Sequence, residues 1–395
     1  MSEWKKCPIG EVVTLRQGFA INAKSKHYMS KEETSLPLLR IADMKNGTKE
    51  VFVKEEIPQR FIAHPEDIIY TRTGNVGLVF RNNYGVMHNN CFSVTPNDAD
   101  ELSRDFLYYA LQNKTFFDTA NALARGAAQP DLPHTSFNSI EFAYPSLFVQ
   151  ERIAYILSRY DSLIENYQKQ IKLLEEAAQR LYKEWFIDLH FPEHENTNII
   201  DGVPEGWEKK KVNSIIELQS GFAFKSSTFD DNGAYKIVTI KNVKDGAFDG
   251  DNVSKIVAIP DKMPKHCILA DGDILLSLTG NVGRVCIVNG KSYLLNQRVA
   301  KLATGFKAFT YCLFRSRDMF IEVNNLANGA AQQNVSPIRI GEMKILLPNS
   351  ELLQEFESIV FKSIARIISL QSQLRLLTEA RDRLLPKLMS GEITV

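Results

Sequence analysis

A phosphate loop, a metal pair, an activated nucleophile or a set of acidic ligands each needs residues of fixed type at fixed spacing. The chain holds only fragments of such patterns. Gly290-Lys291-Ser292 has the ending of G-x-x-x-x-G-K-[ST], whose backbone amides cradle phosphates, but position 285 is Val and the nearest upstream glycine is Gly283. Asn289-Gly290 after Ile287-Val288 predicts a type I′ hairpin turn there instead. His190 and His194 sit four apart, which on a helix would suit a metal, yet Pro192 lies between them. Pro260-Asp261 and Glu342-Met343-Lys344 are too far apart to form the carboxylate cluster of a metal-dependent nuclease. No G-x-G-x-x-G or G-x-S-x-G occurs. None of the 15 prolines is followed by another, which removes the Asn/Asp-Pro-Pro-aromatic loop of an amino-methyltransferase. Cys7, Cys91, Cys267, Cys286 and Cys312 include no C-x-x-C pair, which argues against a disulfide framework or zinc ribbon and for reduced thiols. These absences predict no metal, no cofactor and no catalytic centre in this chain.

The elements that would position any functional group come twice. Trp4 to Ala20 contains Leu-Arg-Gln-Gly-Phe-Ala, and Trp207 to Ala223 contains Leu-Gln-Ser-Gly-Phe-Ala, 203 positions later. Thr73-Gly74-Asn75-Val76-Gly77 recurs letter for letter as Thr279-Gly280-Asn281-Val282-Gly283. Asn121–Leu132 matches Asn324–Val335 at seven of twelve positions, including Gly126-Ala127-Ala128-Gln129 against Gly329-Ala330-Ala331-Gln332. The offset between copies wanders from 199 to 206, so insertions fall between the shared landmarks, where surface loops tolerate them. One scaffold thus carries two different sets of loops.

Each copy has two textures. Residues 1–148 and 207–348 hold short β-rich runs bounded by Gly, Asn and Asp turns, with helical stretches such as Arg104 to Asn113, and predict two compact α/β (α+β) domains. Residues 149–188 predict a long helix, and residues 349–395 a second long helix with a C-terminal tail. Ile153, Leu157, Tyr160, Ile164, Tyr167, Ile171, Leu174, Ala178, Leu181 and Trp185 recur with 4-3 spacing. The second copy repeats the stripe as Phe356, Val360, Ile367, Leu370, Leu374, Leu377, Leu384 and Leu388, interrupted by Ser363 and Arg381. Matching seams predict that the two helices pair as an antiparallel coiled coil under an internal pseudo-two-fold. Residues 189–206, with Pro192, Pro204 and Gly206, predict a linker.

The end of the first helix, Leu181-Tyr-Lys-Glu-Trp-Phe-Ile-Asp188, is followed by Phe191-Pro192 and Val203-Pro-Glu-Gly-Trp-Glu208. Together with the terminal Arg383-Leu-Leu-Pro-Lys-Leu-Met-Ser-Gly-Glu-Ile393, this strongly resembles the specificity (S) subunits of Type I restriction–modification systems, over the whole chain. The resemblance implies a non-catalytic reader of double-stranded DNA. Each of two target-recognition domains would read one half of an asymmetric, bipartite site. The paired helices would act as a ruler and dock two modification (methyltransferase) subunits, which bring S-adenosylmethionine and adenine methylation. Restriction subunits would add ATP-driven translocation and cleavage. The missing catalytic motifs are what this division of labour would produce. The rival readings are a coiled-coil adaptor that joins proteins without reading DNA and a self-sufficient enzyme with a degenerate site.

Base edges are read best by Arg on guanine and by Asn or Gln on adenine. Candidates within the repeated loop are Arg72 and Asn75 in the first copy, and Asn281 and Arg284 in the second. Identity between copies favours a scaffold or phosphate role for that loop. Segments that differ between copies are better placed for base readout: Lys24, Lys26, Arg81, Asn82, Asn89 and Asn90, then Lys225, Lys241, Asn242, Asn296, Gln297 and Arg298. Arg125, Gln129 and Gln332-Gln333-Asn334 belong to the repeated Gly-Ala-Ala-Gln segment, where scaffold or partner contact is favoured. Tyr160 and Tyr167 read as seam fillers, and Ile187, Leu189 and Leu376 as partner surface.

Charge adds one constraint. Lys and Arg total 47 against 47 Asp and Glu, which excludes a polybasic nucleic-acid binder. Residues 1–148 carry net −1 and residues 201–350 net +4, too little for strong phosphate attraction by the chain alone. No apolar run reaches the roughly 18 residues that span a bilayer. The N-terminal Met-Ser-Glu-Trp-Lys-Lys-Cys-Pro lacks a signal core, so the expected place is the cytoplasm, with no membrane partner.

Overall fold

Alternation within one short strand sets the layers of each globular domain. Ile68–Thr71 is buried along its whole length. Ile68 and Tyr70 face a core shared with Phe106, Leu107 and Phe116, while Ile69 faces the opposite side with Leu39, Met87 and Cys91. A run with both faces covered must be continuously apolar, which is what Ile-Ile-Tyr-Thr supplies. The computed structural model describes residues 4–126, 128–251, 253–327 and 333–395. It divides into two units, Met1–Leu163 with Thr378–Val395, and Ile164–Leu377.

In the first unit an antiparallel sheet runs in the order Val13–Gln17, Cys91–Pro96, Ile68–Thr71, Val79–Phe80. Helices Arg104–Gln112 and Lys114–Leu123 cover one face. A second, five-stranded sheet, in which Leu36–Leu39 runs parallel to Gly85–Met87, packs on the other. The second unit repeats this plan. Its sheet runs Ile216–Ser220, Val299–Thr304, Ile274–Ser277, Val285–Ile287. Ile274 and Leu276 face helices Lys307–Arg315 and Arg317–Ala327, and Leu275 faces the core around Ile237 and Leu294.

One expected turn is corrected here. Val285–Ile287 pairs with Ile274–Ser277, whereas Tyr293–Leu295 belongs to the other sheet, so Asn289-Gly290 closes no hairpin between them. The segment instead carries the chain from one sheet to the next. Asn289 is buried, its Nδ2 donating to Gln371 Oε1 at 3.4 Å.

The long helices are Leu147–Phe186 and Ser350–Met389, 40 residues each, or about 60 Å at 1.5 Å per residue. In the first unit the start of one helix (Ile153, Ala154, Leu157) shares a core with the end of the other (Leu384, Leu388, Met389). In the second unit the end of the first (Tyr182, Trp185, Phe186) meets the start of the second, with Phe356 against all three rings at 4.8–6.2 Å. Within each unit the pairing is therefore antiparallel. Ile153, Leu157, Ile164, Phe356, Val360, Ile367 and Leu370 are buried; Tyr160, Tyr167, Ile171, Leu174, Leu181, Leu374, Leu377 and Leu384 are half-buried. The seam steps aside twice: Ile364 is buried where Ser363 is only half-buried, and Tyr182 lies deeper than Leu181.

The segment 189–206 is more ordered than a bare linker. Phe191 and Trp207 are buried with ring centroids 5.1 Å apart, and a short hairpin pairs Ile199–Ile200 with Val203–Pro204. Leu189 packs against the second unit's core, while Ile187 and Leu376 are exposed. Among the described residues no helix is long and apolar enough to cross a membrane.

Candidate nucleic-acid interface

The repeated Thr-Gly-Asn-Val-Gly loop joins two paired strands in each copy and docks on the segment that ends in Leu132 or Val335. The bonds are the same in both. Gly74 N donates to Pro130 O at 2.8 Å, and Gly280 N to Gln333 O at 3.0 Å. Leu132 N donates to Arg72 O, and Val335 N to Leu278 O, both at 2.9 Å. Arg72 N donates to Asn90 O at 2.8 Å, and Leu278 N to Arg298 O at 3.0 Å. Thr71 and Ser277 hydroxyls bond the carbonyls of Asn75 and Asn281 across the loop. Upstream, Gly18 and Gly221 pass so close to the neighbouring strand connection that a Cβ would stand 2.2 Å from His88 O or Asn296 O. Only glycine fits there.

The side chains on this shared backbone differ. In the first copy Arg72 donates to Asp131 at 2.7 and 3.2 Å and to Gln17 Oε1 at 3.2 Å, and Thr73 Oγ1 donates to Asp131 Oδ1 at 2.6 Å. Burial pushes the Asp131 carboxyl up, but the bonds from Arg72 and Thr73 outweigh it and hold the group below its ordinary value. In the second copy the corresponding residues are Leu278, Asn334 and Ser220. No charge pair forms among them. A cleft of about 520 Å³ opens, lined by Ser220, Leu278, Thr279, Gln297, Arg298 and Asn334. Thr279 Oγ1 donates to Asn334 Oδ1 at 2.9 Å, the neutral counterpart of the Thr73–Asp131 bond.

The structure sorts the other candidates. Asn89 and Asn90 are half-buried beside the first junction, and Gln297 and Arg298 are exposed at the second. Asn75 and Asn281 are exposed at the loop tips, and Arg284 is half-buried. Asn296 is half-buried, its backbone bridged to Phe222. Lys24 and Lys26 are exposed on the one turn after Asn22, Lys225 and Lys241 are exposed elsewhere, and Asn82 is exposed with φ +58°. Three candidates have partners within the chain. Asn242 is 1% exposed; its Oδ1 accepts from Thr239 N and Oγ1, and its Nδ2 donates to Asp249 O. It pins its own turn. Arg81 stacks 4.2 Å over Tyr108 and reaches Asp161 at 3.4 Å, so its guanidinium belongs to the helix junction. The fork of Arg72 is taken by Asp131.

Asn334 and Asp131 were absent from the base-reading candidates. A signal existed in the twelve matched positions, where the copies differ at this residue. Gly329-Ala330-Ala331-Gln332 and Ala127 lie outside the described residues. His190 and His194 have rings 5.3 Å apart, and among the described residues no three His, Cys, Asp or Glu gather as for a metal.

Two copies of a mixed α/β domain, each leading into a 40-residue helix, define a tandem-repeat architecture. A crystal structure of a Type-I restriction-modification system S subunit from M. genitalium has the same fold, with TM-score 0.65 over 98% of this chain and 96% of that one at 19% identity. The profile of the Type I restriction modification DNA specificity domain matches residues 1–176 and again 204–377, and the chain belongs to this family. Relatives include the Type I restriction enzyme MjaIX specificity subunit of Methanocaldococcus jannaschii, 30% identical over 77% of this chain and 72% of the relative. The MjaVIII specificity subunit of the same organism is 28% identical over 100% of this chain and 93% of its own length.

Proposed function

We propose that this chain is the non-catalytic DNA-specificity subunit of a cytoplasmic Type I restriction–modification complex, reading an asymmetric bipartite site. Residues 1–148 and 207–348 serve as the two target-recognition domains, the helices of 149–188 and 349–395 as the scaffold for two modification subunits and the restriction subunits, and 189–206 as the connection. The observation that carries this reading is the pair of loop junctions. Their backbones match bond for bond while the side chains differ, as expected of one scaffold addressing two different half-sites. Near-neutral domains bind phosphates weakly, so tight DNA binding requires the partner subunits.

Single-molecule methylome sequencing of cells with and without this gene tests the reading. A gapped, asymmetric adenine-methylation motif disappears on deletion. The purified chain alone shows neither methylation nor cleavage, and its DNA affinity rises sharply when the modification subunit is added. Absence of any gapped motif in the parent cells would sink the reading.

A further inference from the structure

In the second copy, the place that the first fills with a guanidinium–carboxylate pair is an open cleft with an apolar floor. Leu278 and Val335 are buried beneath it. Gln297 and Arg298 rise from a fixed backbone: Gln297 N donates to Phe222 O at 3.0 Å, and Arg298 O accepts from Leu278 N at 3.0 Å. Asn334 is oriented through its Oδ1 by Thr279, leaving its Nδ2 unused by that bond. Among the described residues no carboxylate pairs with Arg298, whereas Arg72 in the first copy is neutralised by Asp131. An exposed, unpaired fork on a rigid loop, beside an amide and over an apolar floor, has the chemistry that recognises a base edge.

We infer that this cleft is the specificity-determining site of the second recognition domain, with Arg298 taking the O6 and N7 of a guanine in the half-site that domain serves. Gln297 and Asn334 contact the neighbouring base pair. In the first domain Asn90 holds the backbone position of Arg298 and the Arg72–Asp131 pair holds that of Leu278 and Asn334, so that domain reads its half-site from other loops. The inference rests on the DNA-specificity reading and deepens it.

The test uses the full chain co-expressed with its modification subunit in a host lacking adenine methylation, with single-molecule sequencing as the readout. The parent chain gives a gapped motif. Arg298→Ala makes one specified guanine of one half-site degenerate and lowers methylation of the parent site roughly tenfold or more, leaving the other half-site unchanged. Arg298→Lys keeps the charge and loses the fork, and it behaves like Arg298→Ala; full specificity with lysine would mean a phosphate contact and would overturn the proposal. The double variant Leu278→Arg/Asn334→Asp grafts the first copy's pair into the second and closes the cleft, with loss of the same position. Arg72→Ala leaves both half-sites as they were. If the parent motif is gapped but Arg298→Ala and the double variant retain it unchanged, the cleft is not the reading site. If the parent chain yields no gapped motif, it is the DNA-specificity reading itself that fails.

Discussion

The first loop junction is closed by charge and the second is open, although the hydrogen bonds beneath them correspond one to one. Backbone geometry is set by positions that tolerate no substitute, such as Gly18 and Gly221, and by the repeated hydroxyls of Thr71 and Ser277. The side chains above that frame differ: Arg72, Asp131 and Gln17 in the first copy, Leu278, Asn334 and Ser220 in the second. The long helices make a second comparison. At the same seam position the first unit has Ile153 and the second has Phe356, which sits among Tyr182, Trp185 and Phe186. The second unit's helix contact is aromatic where the first unit's is aliphatic and polar.

Truncating the two seam residues should give the largest effects and break that comparison if they come out equal. Phe356→Ala removes a fully buried ring with four aromatic neighbours and is expected to cost about 3–5 kcal/mol. Ile153→Ala, equally buried, is expected to cost about 2–4 kcal/mol. Urea unfolding followed by tryptophan fluorescence separates them. Trp185 and Trp207 report on the second unit and Trp4 on the first.

Next come the carboxylates through which the first long helix holds a recognition domain. Asp161 accepts from Tyr109 at 2.6 Å and Arg381 at 2.9 Å, and its side chain is 13% exposed. Asp161→Ala leaves the Tyr109 hydroxyl without its acceptor and takes one carboxylate from Arg381, which keeps Asp382, and from Arg81, which keeps Asp105, and should cost about 1–3 kcal/mol. In the second unit Glu175 accepts from Tyr311 at 2.7 Å, while Arg315 also pairs with Asp245. Burial raises the Glu175 carboxyl above its ordinary value, with Tyr311 and Arg315 pulling partly the other way. A folded value above the unfolded one means stability is full at low pH and lost as pH rises through the folded value. The parent chain should therefore lose stability relative to Glu175→Gln as pH rises from the ordinary glutamate range through the folded value. Denaturation midpoints measured across that range check the sign, and a difference that grows in the parent's favour would reverse it.

Periodicity and repetition carried most of the architecture in sequence. The long helices, Leu147–Phe186 and Ser350–Met389, were visible because the apolar stripe keeps its 4-3 spacing through them, and the two domains because identities recur at offsets near 203. What the stripe could not convey was why Arg381 interrupts it: its partner Asp161 lies 220 positions away, beyond any local pattern. The junction was half visible. The repeated Thr-Gly-Asn and Gly-Ala-Ala-Gln segments stood out separately, but only folding places Thr73 beside Asp131 and Thr279 beside Asn334. Asn242 and Arg81 looked like base readers because composition records donors without recording which are already spent on a turn or a neighbouring helix.

Where the copies share backbone demands, substitution should act alike. Gly18→Ala and Gly221→Ala each place a Cβ 2.2 Å from a carbonyl oxygen, and each should cost about 1–3 kcal/mol through forced backbone shifts. Matched losses in thermal unfolding would support one frame, and a tolerated alanine in either copy would show that the frames differ.

The smallest effect is expected where the copies diverge. The Arg72–Asp131 pair is partly solvated, with side chains 20% and 39% exposed, so Arg72→Ala and Asp131→Asn should each lose no more than about 1 kcal/mol at neutral pH. Asp131 titrates below its ordinary value in the folded chain, so what the pair contributes is present above the normal aspartate range and disappears as pH falls through the folded value. The difference between parent and Asp131→Asn should accordingly vanish in acid, and unfolding midpoints across the acid range measure it. A loss of several kcal/mol would make the pair a structural requirement of the first copy. A small, acid-sensitive loss leaves it as one of two ways to finish the same loop, the other being the neutral residues that line the second copy's cleft.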